Sequence, residues 1–242
     1  MCGRYVQARA GADLVADLDA QIPDGVEVRQ SWNAAPTTQV PILLERMDDG
    51  GELHREIHTA RWGLLPGWAK DRKMSYKTFN ARSETVTEKP TFRSAVRTRR
   101  CAVPATAYYE WFTEGKTKVP HAVRPKNDSG ILFAGLYEWR KDSEAGEESP
   151  WELSTTILTG PAPSHSQHED LAWLHDRLPL ALSGGSAEDW LRPEKLEKPD
   201  TVELVDYMRS QAYGVVQGWE VYPVTRDVGN VRNNDPRLLE PV

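Results

Sequence analysis

Six short runs of the chain are strand-like, several of them alternating apolar and polar residues and rich in Val, Ile, Thr or aromatics. They are QVPILLER (39–46), REIHTARWG (55–63), RCAVPA (100–105), ILFAGLYEW (131–139), WELSTTILT (151–159) and LPLAL (178–182). Such runs predict half-buried or buried strands. Turn signals stand between them at LPGW (65–68), KNDSG (126–130) and SGG (183–185). A period of 3.6 replaces the period of two in GADLVADLDAQI, where Leu14, Val15, Leu18 and Ile22 share a face, so a helix is predicted over 11–22. Two further helices are predicted at 187–192 (AEDWLR) and 201–212 (TVELVDYMRSQA). Strands follow one another instead of alternating with helices, which predicts an α+β fold with a curved, largely antiparallel, barrel-like sheet flanked by helices. Neither an internal repeat nor a Gly/Ser linker divides residues 1–242, so one domain is expected, with the acidic stretch RKDSEAGEESP (140–150) as an exposed hairpin insertion.

Composition narrows the class. A chain of 242 residues, 39% hydrophobic and 27% charged, is long enough to bury a core without a metal or disulfide. No window approaches the ~20 apolar residues a membrane span needs, and the N-terminus lacks a secretory pattern. A cytoplasmic protein is expected, in which Cys2 and Cys101 stay reduced. The net charge of −6 speaks against a nucleic-acid partner, but its distribution does not. Arg61 to Arg100 holds eleven basic residues against three acidic ones, an excess of +8 that leaves −14 for the remainder. That segment is either a phosphate-facing surface or a solvated, salt-bridged one.

Three polar constellations carry candidate chemistry. TFNARSET places Asn80, Arg82 and Glu84 at alternate positions, on one face if the segment is extended. YYEWF brackets Glu110 with four aromatics, surroundings that tune a carboxylate towards proton transfer. LAWLHDRLPLAL sets His175, Asp176 and Arg177 between apolar runs, where the histidine is either a hydrogen-bonded core residue or a catalyst and Arg177 can neutralise Asp176. His165 and His168 lie nearby, but without a second ligand pair they make no metal site, and no phosphate-binding Gly-rich loop is present. Neither a metal nor a cofactor is expected.

MCGRY, WNAAPTTQVPIL, RWGLLPGWAK, TFNARSET, YYEWF, HDRLPLAL and YPVTRDVGNVRNN occur in the order and near the spacing of the SOS response-associated peptidase (SRAP) family, and the chain resembles it from Cys2 to near the C-terminus. The resemblance implies a single SRAP domain that senses abasic sites in single-stranded DNA and crosslinks to them through the N-terminal cysteine, as a monomer in the cytoplasm and at the nucleoid when bound to DNA. "Peptidase" in the family name refers to self-removal of Met1. The Pro-rich loop LTGPAPSHSQ (158–167) departs from the family pattern, so contacts from it are not carried over.

The chemistry is consistent with that reading. Removal of Met1 leaves Cys2 with an α-amine beside its thiol, and only an N-terminal cysteine offers that 1,2-aminothiol. The amine, with an ordinary pKa of about 7.7–8.0, adds to the aldehyde of an opened abasic deoxyribose, and the thiol closes a thiazolidine ring. Cys101 has no such amine, and Gly3 lets the backbone approach nucleic acid. By resemblance and chemistry together, Asn80 holds the N-terminal residue and ring, Glu110 shuttles protons, and His175 acts as general acid on the sugar ring oxygen. Arg4, Arg82 and Arg177 clamp phosphates, while Trp68 and Trp111 stack on bases or simply pack in the core. Asn33 reads as a structural turn residue. Two other classes remain open: an N-terminal-nucleophile amidotransferase, which also begins Met-Cys-Gly, and a non-covalent single-stranded DNA binder.

Overall fold

The computed structural model describes residues 2–141 and 151–242. Of the expected acidic insertion only Arg140 and Lys141 are therefore described, and the rest lies outside the described residues. The strands are β1 (Tyr5–Gln7), β2 (Ser31–Ala34), β3 (Gln39–Met47), β4 (Leu53–Trp62), β5 (Asn80–Arg82), β6 (Arg100–Ala105), β7 (Ala107–Glu114), β8 (Thr117–Pro125), β9 (Ile131–Lys141), β10 (Trp151–Pro161), β11 (Arg177–Pro179) and β12 (Trp219–Pro223). The helices are α1 (Gly11–Leu18), α2 (Ala95–Thr98), α3 (Glu169–Leu174), α4 (Gly184–Leu191) and α5 (Lys198–Val215).

All six strand-like runs fall in one sheet. It runs β10-β4-β3-β6-β9, and β9 pairs back onto β10, closing a five-stranded barrel. The barrel pairings are antiparallel except β10 with β4, which are parallel at Ser154–Arg61 and Thr155–Trp62; outside the barrel, β11 joins β10 antiparallel and β5 joins it in parallel. Alternation sends Val40, Ile42, Leu44, Cys101, Val103 and Phe133 into one apolar cluster. Leu43, Ala102, Ala134 and Leu136 go to the opposite face, where they meet residues of α1, α4 and α5. Burial on both faces makes runs such as VPILL read as almost continuously apolar.

A second, five-stranded sheet, β12-β8-β7-β1-β2, was not predicted as strands and brings Tyr5, Tyr108 and Val123 into the first cluster beside Cys2. Three helices also differ from expectation in their boundaries. α1 ends at Leu18 because Asp19 turns left-handed (φ 47°), after which Gln21 hydrogen-bonds to the backbone of β4. The SGG expected as a turn is instead the start of α4, capped by reciprocal Ser183 and Ser186 hydrogen bonds. α5 extends beyond its predicted range at both ends, opening with Pro199 in its first turn.

One arginine of the basic segment serves the fold. Arg100 is 3% exposed and donates to the carbonyls of Val96, Arg97, Trp190, Arg192 and Glu194, which belong to α2, α4 and the connection after α4. Arg100→Met should lower unfolding free energy by about 3 kcal/mol or more, because each buried carbonyl left without a donor costs roughly 1–3 kcal/mol. Urea unfolding measures this, and a loss below about 1 kcal/mol would mean that those carbonyls find other partners.

Candidate functional site

The N-terminal residues reach the centre of the molecule through β1. Tyr5 pairs with Tyr108 and Val6 with Ala107, and Tyr109 N–H donates to Arg4 O at 2.9 Å. This leads Cys2 into the apolar cluster, where it is fully buried in the chain that still carries Met1. Asn80 fixes it there from a distant segment, its Nδ2 donating to Cys2 O at 2.7 Å. β5 lies parallel to β10, with Asn80 opposite Ile157 and Arg82 opposite Thr159. Ala81 is buried between them, so Asn80 and Arg82 share the other face, and Arg82 is exposed. Asn80 Oδ1 is buried and has no hydrogen-bond partner among the described residues.

β7 supplies the carboxylate. Tyr108, Glu110 and Phe112 alternate with Tyr109 and Trp111, and Glu110 is 5% exposed. Burial first, and then the nearby Glu110 carboxylate, push the Cys2 thiol far above the usual cysteine range. The Tyr108 phenol is raised for the same reasons, burial ahead of Glu110 and Cys2. A thiol so placed is protonated at neutral pH and needs a base before it can attack. Opposite Glu110 on β8 stands His121, 8% exposed, its Nδ1 3.1 Å from Val119 O and its ring edge-on to Phe112 and Trp173. Sequence reasoning missed His121. The recoverable signal was Gly115, at φ 61° in a two-residue turn, which pairs YYEWF with VPHAV in a hairpin.

These residues converge from the N-terminus, β5 and β7, and residues 1–231 match the family described as SOS response associated peptidase (SRAP). The chain belongs to the SRAP family. It is 35% identical over 246 residues to "Abasic site processing protein YoqW" of Bacillus subtilis, covering 99% of each chain. It is 30% identical to "Abasic site processing protein YedK" of Escherichia coli, covering all of both chains. It is also 30% identical to "Abasic site processing protein HMCES" of Gallus gallus over 88% of this chain and 67% of that relative. A crystal structure of a protein from Bacteroides thetaiotaomicron shares the fold, with a TM-score of 0.77 and 23% identity over the whole of both chains.

Other predicted residues of this SRAP chain fall into two groups. His175 follows α3 in extended conformation, and its Nδ1 lies 3.0 Å from Arg177 N and 2.7 Å from Asp176 Oδ1. One ring nitrogen cannot accept from the amide and donate to the carboxylate at once. The backbone amide is the fixed partner, whereas Asp176 is 84% exposed and free to turn, so Nδ1 accepts and Nε2 carries the proton. Arg177 does not neutralise Asp176. It forms a two-pronged ion pair with Glu84 and donates to Thr159 O at 2.7 Å, and the Arg177 hydrogen bond holds Glu84 down at about 2. Glu84 lies just past the end of β5.

The second group faces the C-terminal segment. Arg4 donates to Asn33 Oδ1 at 3.0 Å and Val228 O at 2.8 Å, and its guanidinium sits 5.8 Å from the Trp111 ring. Trp111 points away from Glu110 and packs against the cluster of Val6, Tyr109, Val224 and Val228. Asn33 is structural but lies in β2, not a turn, and its Nδ2 donates to Val228, Asn230 and Asn233 carbonyls. Trp68 is 60% exposed on the loop leading to β5. Both cysteines are free.

Proposed function

We propose that this SRAP protein captures abasic sites in single-stranded DNA as a covalent thiazolidine on Cys2. The observation that carries the reading is the meeting of Cys2, Asn80 and Glu110, three residues from separate parts of the chain with no evident need of one another for folding. The relatives' names support abasic DNA as the substrate.

The reaction begins once Met1 is removed, because the amine of Cys2 is otherwise an amide. The amine adds to C1′ of the opened sugar, and loss of water leaves an iminium. The thiol then attacks the same carbon, its proton passing to the Glu110 carboxylate, and a ring of C–N and C–S bonds closes with one water released overall. Glu110 can also protonate the departing hydroxyl of the carbinolamine, so one carboxylate serves both steps. Asn80 holds the Cys2 carbonyl and turns its Oδ1 towards the new ring N–H, while exposed Arg82 on the same face meets a flanking phosphate.

A uracil-containing single strand treated with uracil glycosylase should give a species stable to denaturing electrophoresis. Its mass should equal protein lacking Met1 plus DNA minus one water. Protein with Met1 absent that yields no such species overturns the proposal, and glutamine hydrolysis by the same sample would replace it with an amidotransferase.

A further inference from the structure

A cavity of about 630 Å³ lies between α2, the turns before it and the start of α5. Four cations line it, Arg93, Arg97, Lys195 and Lys198, against the single carboxylate of Glu88. Arg97 is held in place, its Nη2 3.0 Å from Glu197 and its Nε donating to Leu196 O at 2.9 Å. Arg93, Lys195 and Lys198 are exposed and form no ion pair among the described residues. Thr87 and Ser94 add hydroxyls to the wall. α5, 18 residues long, begins at Lys198 beside the cavity, with Glu197 at its N-cap making no side-chain cap and Asp200 in its first turn, so the positive charge of the site comes from the four cations and not from the helix end. In a chain of net charge −6, such a concentration of positive charge in a concave site suits a phosphate.

We propose that this cavity is a second phosphate site, which holds the backbone of the DNA strand captured at Cys2 at a point beyond the captured residue. The inference rests on the function proposed above. Its location favours the same strand over an unrelated ligand. Thr87 at the cavity lies five residue steps along the chain from Arg82, on the Asn80 face, and five extended steps span at most about 18 Å. A strand crossing Arg82 thus passes close to a ready site for a later phosphodiester. The cavity reads charge and not base identity, so it lengthens the footprint without adding sequence preference.

The test uses the full-length protein and the double variant Arg93→Gln/Lys195→Gln. Undamaged single strands of about twenty nucleotides and an abasic trimer serve as probes, with inorganic phosphate as the small-ligand control. The slope of log affinity against log salt for the long strand should become shallower by about 0.7, the value of one lost phosphate contact on a single strand. Adduct formation on the trimer should be unchanged, which also reports that the variant is folded. An unchanged slope overturns the proposal. Protection of the cavity by inorganic phosphate with an unchanged long-strand slope overturns it too, in favour of a small phosphate ligand. Binding to undamaged strands is read without any adduct, so failure of the crosslinking chemistry in the parent protein remains distinguishable from failure of this site.

Discussion

Cys2→Ala should abolish the denaturation-stable adduct, leaving only a Schiff base that borohydride can trap. Alanine is small enough for Met1 still to be removed, so the α-amine survives and the first bond to C1′ can form. The second bond has no sulfur to make it, and an unreduced imine hydrolyses during denaturation. Cys101 is no substitute. It is buried in the first apolar cluster with Sγ 3.5 Å from Thr155 Oγ1, burial pushes its thiol up to about 12, and its nitrogen is a peptide amide. The expected effect is complete loss of the stable band at undiminished DNA binding. A band of ordinary yield from Cys2→Ala would show that an amine alone suffices, and the ring-forming step would fall.

The barrel was legible in the sequence and the sheet carrying much of the site was not, for physical reasons. β3, β6, β9 and β10 are buried on both faces and announce themselves as long apolar or β-branched runs. β1, β2 and β12 are three to five residues long, too short for a period of two to stand out. β8 contains Pro120 and Pro125, which weaken a strand signal although both sit in register with neighbours. Glu110 was found through its aromatic surroundings, while its cross-strand neighbour His121 needed the hairpin register.

Charge counting was the less reliable guide. It marked Arg61 to Arg100 as one polarised stretch, yet the side chains divide among different tasks. Arg100 satisfies carbonyls inside, Arg99 pairs with Glu138 at 2.8 Å, and Arg97 with Glu197. Arg82 and Arg93 remain exposed. A sum over sequence cannot separate a guanidinium that closes a helix end from one that faces solvent, because the two differ only in what the fold brings near. Arg4 and Arg177 make the same point from outside the segment. Both are engaged by protein acceptors, so contact with phosphate would require an exchange with Gly229 O or Glu84.

His175→Ala should slow adduct formation on a closed abasic hemiacetal by about 10²–10⁴-fold, the usual contribution of a positioned general acid. With Nδ1 accepting from the Arg177 amide at 3.0 Å the ring is neutral and Nε2–H is a hydrogen-bond donor; to act as general acid it first takes a proton at Nδ1, which then donates to the Asp176 carboxylate 2.7 Å away. In the proposed reaction the ring oxygen of the sugar takes the Nε2 proton as the C1′–O bond opens, the C1′ hydroxyl gives its proton to water, and the aldehyde that the Cys2 amine attacks is released. A substrate whose aldehyde is already open bypasses that step, so the same variant should lose far less on it. Glu110→Gln should slow both substrates, because the proton transfers of imine formation and thiol attack follow ring opening in either case. Asp176→Asn separates the two partners of Nδ1. If the amide is the anchor, the rate on the closed sugar stays within a few-fold of the parent. If the exposed carboxylate instead holds the ring, the loss approaches that of His175→Ala. Equal slowing of closed and open substrates by His175→Ala would remove the ring-opening role and leave His175 as the residue that sets Arg177, and through it Glu84, at the end of β5.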